Sequence, residues 1–297
     1  MTQHKRQHTD HAATAEDGMK VHLRLVPLKG YIYRVLTLRP GTQVAYSTNY
    51  YHATWHIISD MRGSRLLARL LWALSYQRQP NTLILLHGEH LRPTPFDAAP
   101  SDPILLAPTP HTALCEDVLC ALKYRLKHLG PPTQTVRLHT FGLDAALDDV
   151  SGFYRRWYPR APQLRGNLMG SNDIWQEERM QRWGGFICYT ASPVILRNRA
   201  VAIHKLHTER YSCFGGMDYE YLADRGEHRL SDGEVQVFND YRLRLKEAEL
   251  ARKHADRRGQ SHPDVVCETI CEASDQIRHR RLYARRNSHQ DDLSRSK

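Results

Sequence analysis

The sequence predicts an α/β protein, and three observations carry that prediction. A short apolar strand, WHIIS at 55–59, leads through DMRG into a helix over 64–77 and then into a second apolar run, TLILLHG at 82–88. Further strand-like runs surround this unit between 20 and 141, with one more helical stripe among them. A long amphipathic pattern then fills much of the last third. Strands that alternate with helices favour a sheet with helical cover.

Taken in order, residues 1–18 contain no apolar core and read as a disordered leader, neither a signal peptide nor an anchor. KVHLRLVPLKGYIYRVLTL offers strands at 20–26 and 31–38, with Pro40 and Gly41 marking the next turn. VAYSTNYYHA is left open between a strand and an approach loop. In the central unit, Leu66, Leu67, Leu70, Leu71 and Leu74 recur at three- and four-residue spacing, so they line one helix face. The run at 82–88 lacks alternation, as expected of a strand covered on both faces. Prolines break the segment after His87, and ILLAP at 104–108 reads as another strand.

A helix is predicted from Thr109 and Pro110 to a stop at Gly130, with Leu114, Val118, Leu122, Leu126 and Leu129 as its stripe. TVRLHTF at 135–141 alternates and reads as a strand. Helices are predicted within GLDAALDDVSGFYRRWY and within DIWQEERMQRW, joined by a mobile or ligand-covering loop, PRAPQLRGNLMGS. GGFICYTASP at 184–193 returns to strand character. A long helix is predicted over 232–257, and a shorter one over 264–286. The domain reading is therefore one α/β domain over 19–258 and a basic helical extension and tail over 259–297.

Composition narrows the partners. A chain of 297 residues with 41% hydrophobic residues can bury a large core. The formal charge of +10 favours anionic ligands without choosing between nucleic acid, anionic lipid and phosphorylated small molecules. No run approaches the roughly 18 apolar residues of a bilayer span, so a cytoplasmic protein is expected. Six scattered cysteines in a chain of this size read as free thiols, and the 267/271 and 115/120 pairs lack zinc or redox spacing.

Several constellations carry candidate chemistry. His87 and Glu89, in HGEH, sit at a strand end, where α/β proteins hold ligands, although a solvated loop is the plainer reading. Asp218 and Glu220, in CFGGMDYE, follow two glycines that permit an exposed backbone; they suit sugar hydroxyls, a divalent ion or an ordinary turn. Asp240 opens the amphipathic stretch NDYRLRL. Arg278, Arg281 and Arg285 share a predicted helical face, and Arg155, Arg156, Arg160 and Arg165 form a second basic region. Arginines bind phosphates in pairs of bonds, yet a run of them has no base-reading geometry, so nucleic-acid binding stands as the alternative function.

Together WHIISDMRG, the following SRLLARLLWALSYQRQPNTLILLHGEH, YSCFGGMDYEYL and NDYRLRL resemble, in that order, segments of the nucleotide-sugar-dependent glycosyltransferases of the broad family 2 type. The resemblance spans roughly 54–246 and implies a GT-A-like, Rossmann-like fold: a mixed, mainly parallel sheet flanked by helices, with a helical C-terminal extension. It also implies transfer of a sugar from a nucleotide-sugar donor to an acceptor hydroxyl. In that scheme Asp60, Arg62, His87 and Glu89 hold the donor, Asp218 and Glu220 orient sugar or acceptor, and Asp240 is the general base. The chain departs from the family where LLHGEH replaces paired acids and where no clear Asp-x-Asp motif follows. A divalent Mg or Mn ion, basic side chains on the diphosphate, and an inactive scaffold therefore all remain consistent with the resemblance.

Overall fold

The computed structural model of the chain describes residues 19–157, 178–209, 216–224, 231–256 and 268–280. The expected leader, the 159–171 loop, Cys213, Cys267, Arg160, Arg165, Arg281 and Arg285 lie outside the described residues.

The strands are β1 (Met19–Leu28), β2 (Tyr31–Thr37), β3 (Tyr46–Tyr51), β4 (Thr54–Ser59), β5 (Thr82–Leu86), β6 (Ile104–Pro108), β7 (Gln134–Leu138), β8 (Arg179–Trp183), β9 (Phe186–Ala191), β10 (Met217–Asp224) and β11 (Ser231–Phe238). The helices are α1 (Met61–Leu74), α2 (Glu116–Arg125), α3 (Leu143–Asp148), α4 (Val150–Trp157), α5 (Pro193–His204) and α6 (Tyr241–Asp256), followed by a helical stretch, α7, over 268–280. The α/β class is as expected.

The sheet is not mainly parallel, however, and the described strands form two sheets. Seven strands lie in the order β7-β1-β2-β5-β6-β9-β8, and four in the order β10-β11-β4-β3. Parallel pairs are β2 with β5, β6 with β9 and β4 with β11; the other described pairs are antiparallel. Short turns are one cause, since Lys29-Gly30 and Gly184-Gly185 return the chain at once and a hairpin pairs antiparallel; β5 with β6 and β1 with β7 pair antiparallel across longer connections. The strand–helix–strand unit exists, but its strands part company: β4 joins the small sheet and β5 the large one.

Two helix predictions run into strands, and residues 173–177, which the second also covers, lie outside the described residues. Residues 231–238 form a strand, where Val235 and Val237 turn to one side and Glu234 and Gln236 to the other, so the helix begins only at Tyr241. Residues 179–183 pair with β9 instead of continuing a helix.

A shared core joins the sheets. Leu23, Leu36, Ile84, Leu106 and Ile187 from the large sheet meet Ile57, Val235, Val237 and Leu222 from the small one through α1 and α5. Leucines at the predicted positions explain why α1 is buried over most of its surface. Gly63 in its first turn is required, because an added Cβ would lie 1.7 Å from Ser59 Oγ. The other face of the large sheet is covered by α2 through Val118, Leu119 and Leu122, and the other face of the small sheet by α6 through Tyr241 and Leu245. No described helix is long and apolar enough to cross a membrane.

Candidate functional site

The carboxyl ends of two parallel pairs converge on one loop. β2 and β5 end at Thr37 and Leu86, β4 and β11 at Ser59 and Phe238, and residues 38–45 run between them. Ser59 Oγ donates to the Ala45 carbonyl at 2.6 Å, and Arg62 and Arg242 donate to the Gln43 carbonyl at 3.3 and 3.5 Å. Gly41 N–H donates to Glu89 Oε1 at 3.2 Å, while Arg92 N–H donates to the Tyr46 carbonyl at 2.8 Å. These bonds frame a cavity of about 370 Å³ lined by residues 41–45, Glu89, His90 and Arg92 on one side and Arg242, Leu245, Lys246 and Glu249 of α6 on the other. Outside the carboxyl ends of parallel strands is where open α/β sheets place ligands.

Most of the expected donor-side residues gather here. Asp60 caps α1, its Oδ1 accepting from Gly63 N–H at 2.8 Å, and its Oδ2 lies 3.4 Å from Arg242 Nε. A cap of this kind is worth about 1 kcal/mol to the helix. Glu89 lines the cavity directly, and Arg62 reaches its loop. His87 stands just before it at the end of β5, half-buried; burial and the nearby Arg24 and His90 hold its imidazole below the usual value. His90 is buried against the cavity, its Nδ1 without a hydrogen-bond partner, and burial lowers its pKa against the opposing pull of Glu89.

Asp240 begins α6 beside this cavity without lining it. Its Oδ1 accepts from Arg244 Nε at 2.6 Å, and the Arg244 guanidinium lies 4.4 Å from the Phe238 ring centroid.

Asp218 and Glu220 lie elsewhere. They share the β10 face that packs toward α1 and α5, opposite the face covered by α6. Asp218 is buried and accepts from the backbone N–H groups of His207 and Tyr219, both at 2.9 Å. Glu220 accepts from Arg199 at 2.7 Å; the same guanidinium makes bonds of 2.8 and 2.9 Å to the two oxygens of Glu178, which also accepts from the Tyr189 hydroxyl. Burial raises the Glu220 carboxyl against the opposing pull of Arg199. Burial disfavours the Arg199 charge, but Glu178 and Glu220 outweigh it and hold the guanidinium charged. This is an ion network buried at Glu178 and Arg199 and partly exposed at Glu220.

No family model, curated protein or solved structure matches the chain. The chemistry of the site is therefore read from its own side chains. Arg92, Arg242 and Lys246 bring positive charge to an open cavity and suit an anion, whereas Glu89 and Glu249 supply carboxylates at its wall. Among the described residues, no group of three or more His, Cys, Asp or Glu side chains is placed to hold a metal ion.

The sequence reading has His90 only within HGEH, and misses residues 41–45, Arg92, Lys246 and Glu249 as lining. The last two sit with Arg242 at i, i+4 and i+7 of α6, a stripe inside the predicted helix that nothing local assigns to a cavity wall. The Pro40-Gly41 turn reads as punctuation because nothing local shows that four strand ends surround it.

Of the two basic clusters, Arg278 departs from the expected open face, whereas Arg155 and Arg156 do not. Arg278 is drawn in against α6, 3.7 Å from the buried Glu247 and 2.8 Å from Asp275, so it does not form an open phosphate-binding row. Arg155 and Arg156 are exposed at the end of α4.

Proposed function

We propose that the chain is a nucleotide-sugar-dependent transferase of GT-A-like fold, which holds the donor phosphates in the cavity between the 41–45 loop and α6. The observation that carries the proposal is the convergence of the β2, β5, β4 and β11 carboxyl ends on a cavity with Arg92, Arg242 and Lys246 at its wall. In this scheme the three cations bind the diphosphate and stabilise the negative charge that grows on it as the sugar leaves. Asp60 holds Arg242 in place across 3.4 Å.

A base for the acceptor hydroxyl must reach the attacking oxygen. Glu249 lines the cavity, whereas Glu89 is engaged by Gly41 N–H and Asp240 by Arg244. The proposal therefore gives the base role to Glu249 and makes Asp240 a positioning residue. Asp218 and Glu220 act through the fold.

The test is release of nucleoside diphosphate from a panel of nucleotide sugars, with and without Mg²⁺ or Mn²⁺. Wild type is expected to turn over at least one donor, E249Q to bind it without turnover, and D240N to retain turnover. Full activity in E249Q refutes the base assignment; absence of turnover and of binding across the panel refutes the function.

A further inference from the structure

A second basic surface lies on the large sheet, on the face that α2 only partly covers. Residues of one parity along adjacent strands share a face. On β1, Lys20, His22 and Arg24 oppose the core-facing Met19, Val21 and Leu23. On β7, Arg137 is register-paired with Lys20, and Thr135 with His22. On β2, Thr37 pairs with His22, and Arg39 follows two residues on. On β5, His87 continues the parity of Leu83 and Leu85, whose side chains meet α2. The α2 contacts stop at Val26, Val35 and Leu85, which leaves the row from Arg137 through Lys20 and Arg39 to His87 beyond its cover.

Four adjacent strands about 4.8 Å apart make this row roughly 14 Å long, wider than one phosphate group. Among the described residues, His22, Arg24, Arg39 and His87 form no ion pair; Arg24 donates to the Thr37 hydroxyl at 2.7 Å and to the Gly130 carbonyl at 2.9 Å. These groups also feel one another. Arg24 and Arg39 add to burial in lowering the His22 imidazole, as Arg24 and His90 do for His87. Both imidazoles are thereby kept from carrying charge near neutrality, so the cations of this face are Lys20, Arg24, Arg39 and Arg137.

At the β7 end of the row an aromatic pair stands in the open. The His139 and Phe141 rings stack at 4.8 Å and 8°, and Phe141 is 79% exposed. A cationic track beside an exposed stacking surface is what a nucleic-acid single strand requires, one for its phosphates and the other for a base.

We propose that this face binds the phosphodiester backbone of single-stranded nucleic acid, with the His139–Phe141 pair stacking on a base. The row borders the cavity beside α6 at Arg39 and His87 but shares none of its lining residues, so variants at Arg39 and at Arg242 tell its failure from that of the transferase proposal.

The test is fluorescence anisotropy of the full chain with labelled single-stranded DNA and RNA and with duplex DNA, over a salt series. Single strands of one or both kinds are expected to bind more tightly than duplex. R39E, at an exposed arginine, is expected to weaken binding at least tenfold. R24Q/R39Q is expected to reduce the salt slope by about 1.4, as for two lost phosphate contacts at about 0.7 each. F141A is expected to lower single-strand affinity without changing the slope. R242Q, at that cavity, is the control and is expected to bind as wild type. Wild-type binding by R39E, equal loss in R242Q, or duplex binding as tight as single-strand binding with no effect of F141A overturns the proposal.

Discussion

Removing Arg199 tests the place of Glu220 most sharply. Its side chain is 13% exposed and makes three charge-assisted bonds, at 2.8 and 2.9 Å to Glu178 and 2.7 Å to Glu220. The Glu178 side chain is only 1% exposed, so in R199M it is left as a buried carboxylate supported by the Tyr189 hydroxyl alone among these partners. Breaking a buried pair on one side costs about 3–5 kcal/mol. With a urea slope of about 3 kcal/mol/M, the unfolding midpoint should fall by roughly 1–1.7 M. Adding E178Q removes the stranded charge while keeping an acceptor for Tyr189, and should recover about 1–2 kcal/mol. Equilibrium urea unfolding followed by circular dichroism reads both. A loss in R199M below about 1 kcal/mol, or a further loss on adding E178Q, would refute the buried-network account and return Glu220 to the list of solvent-facing site residues.

Two more outcomes follow from buried groups. His56 is pushed down to about 4 by burial, so between pH 4 and 6.5 the unfolded chain binds more protons than the folded one. Its contribution is complete above pH 6.5 and is lost as pH falls toward 4, with a full extent on the order of 3 kcal/mol. Glu234, 3.8 Å away and raised by burial, opposes that loss in acid, so E234Q should steepen the stability slope and H56Q should flatten it. Urea midpoints across pH 4–7 decide this, and an unchanged slope in H56Q contradicts it. Burial also pushes the Cys188 thiol up to about 12, while Cys115 and Cys120 are exposed. A maleimide at pH 7 should label the latter two promptly and Cys188 only on unfolding, read by mass spectrometry of the labelled peptides.

The sequence made the α/β class legible because leucine spacing in α1 and uninterrupted apolar runs in β5 and β6 are local signals. Sheet membership was not legible. Nothing between Trp55 and Leu86 shows that β4 pairs with β11, which begins some 170 residues later in the chain. The same distance hides the site: strand ends mark Asp60 and Glu89, the resemblance adds Arg62, and nothing local shows that Arg242, Lys246 and Glu249 of the predicted helix stand across a cavity from them. Val235 and Phe238 fit a helical stripe as readily as a strand, so the predicted helix begins too early. Asp218 and Glu220 drew attention as acids after glycines, yet local sequence does not reveal that a backbone amide pair and Arg199 await them in the core.

The most direct measurement of the central claim is the melting temperature of the chain against a panel of nucleotide sugars, comparing wild type with R242A/K246A. A ligand that binds only the folded state at 100 times its Kd adds about 2.7 kcal/mol to stability. Wild type should show a concentration-dependent rise with at least one nucleotide sugar, and the double variant should show none. No rise with any donor, or an equal rise in R242A/K246A, contradicts a phosphate-binding cavity beside α6.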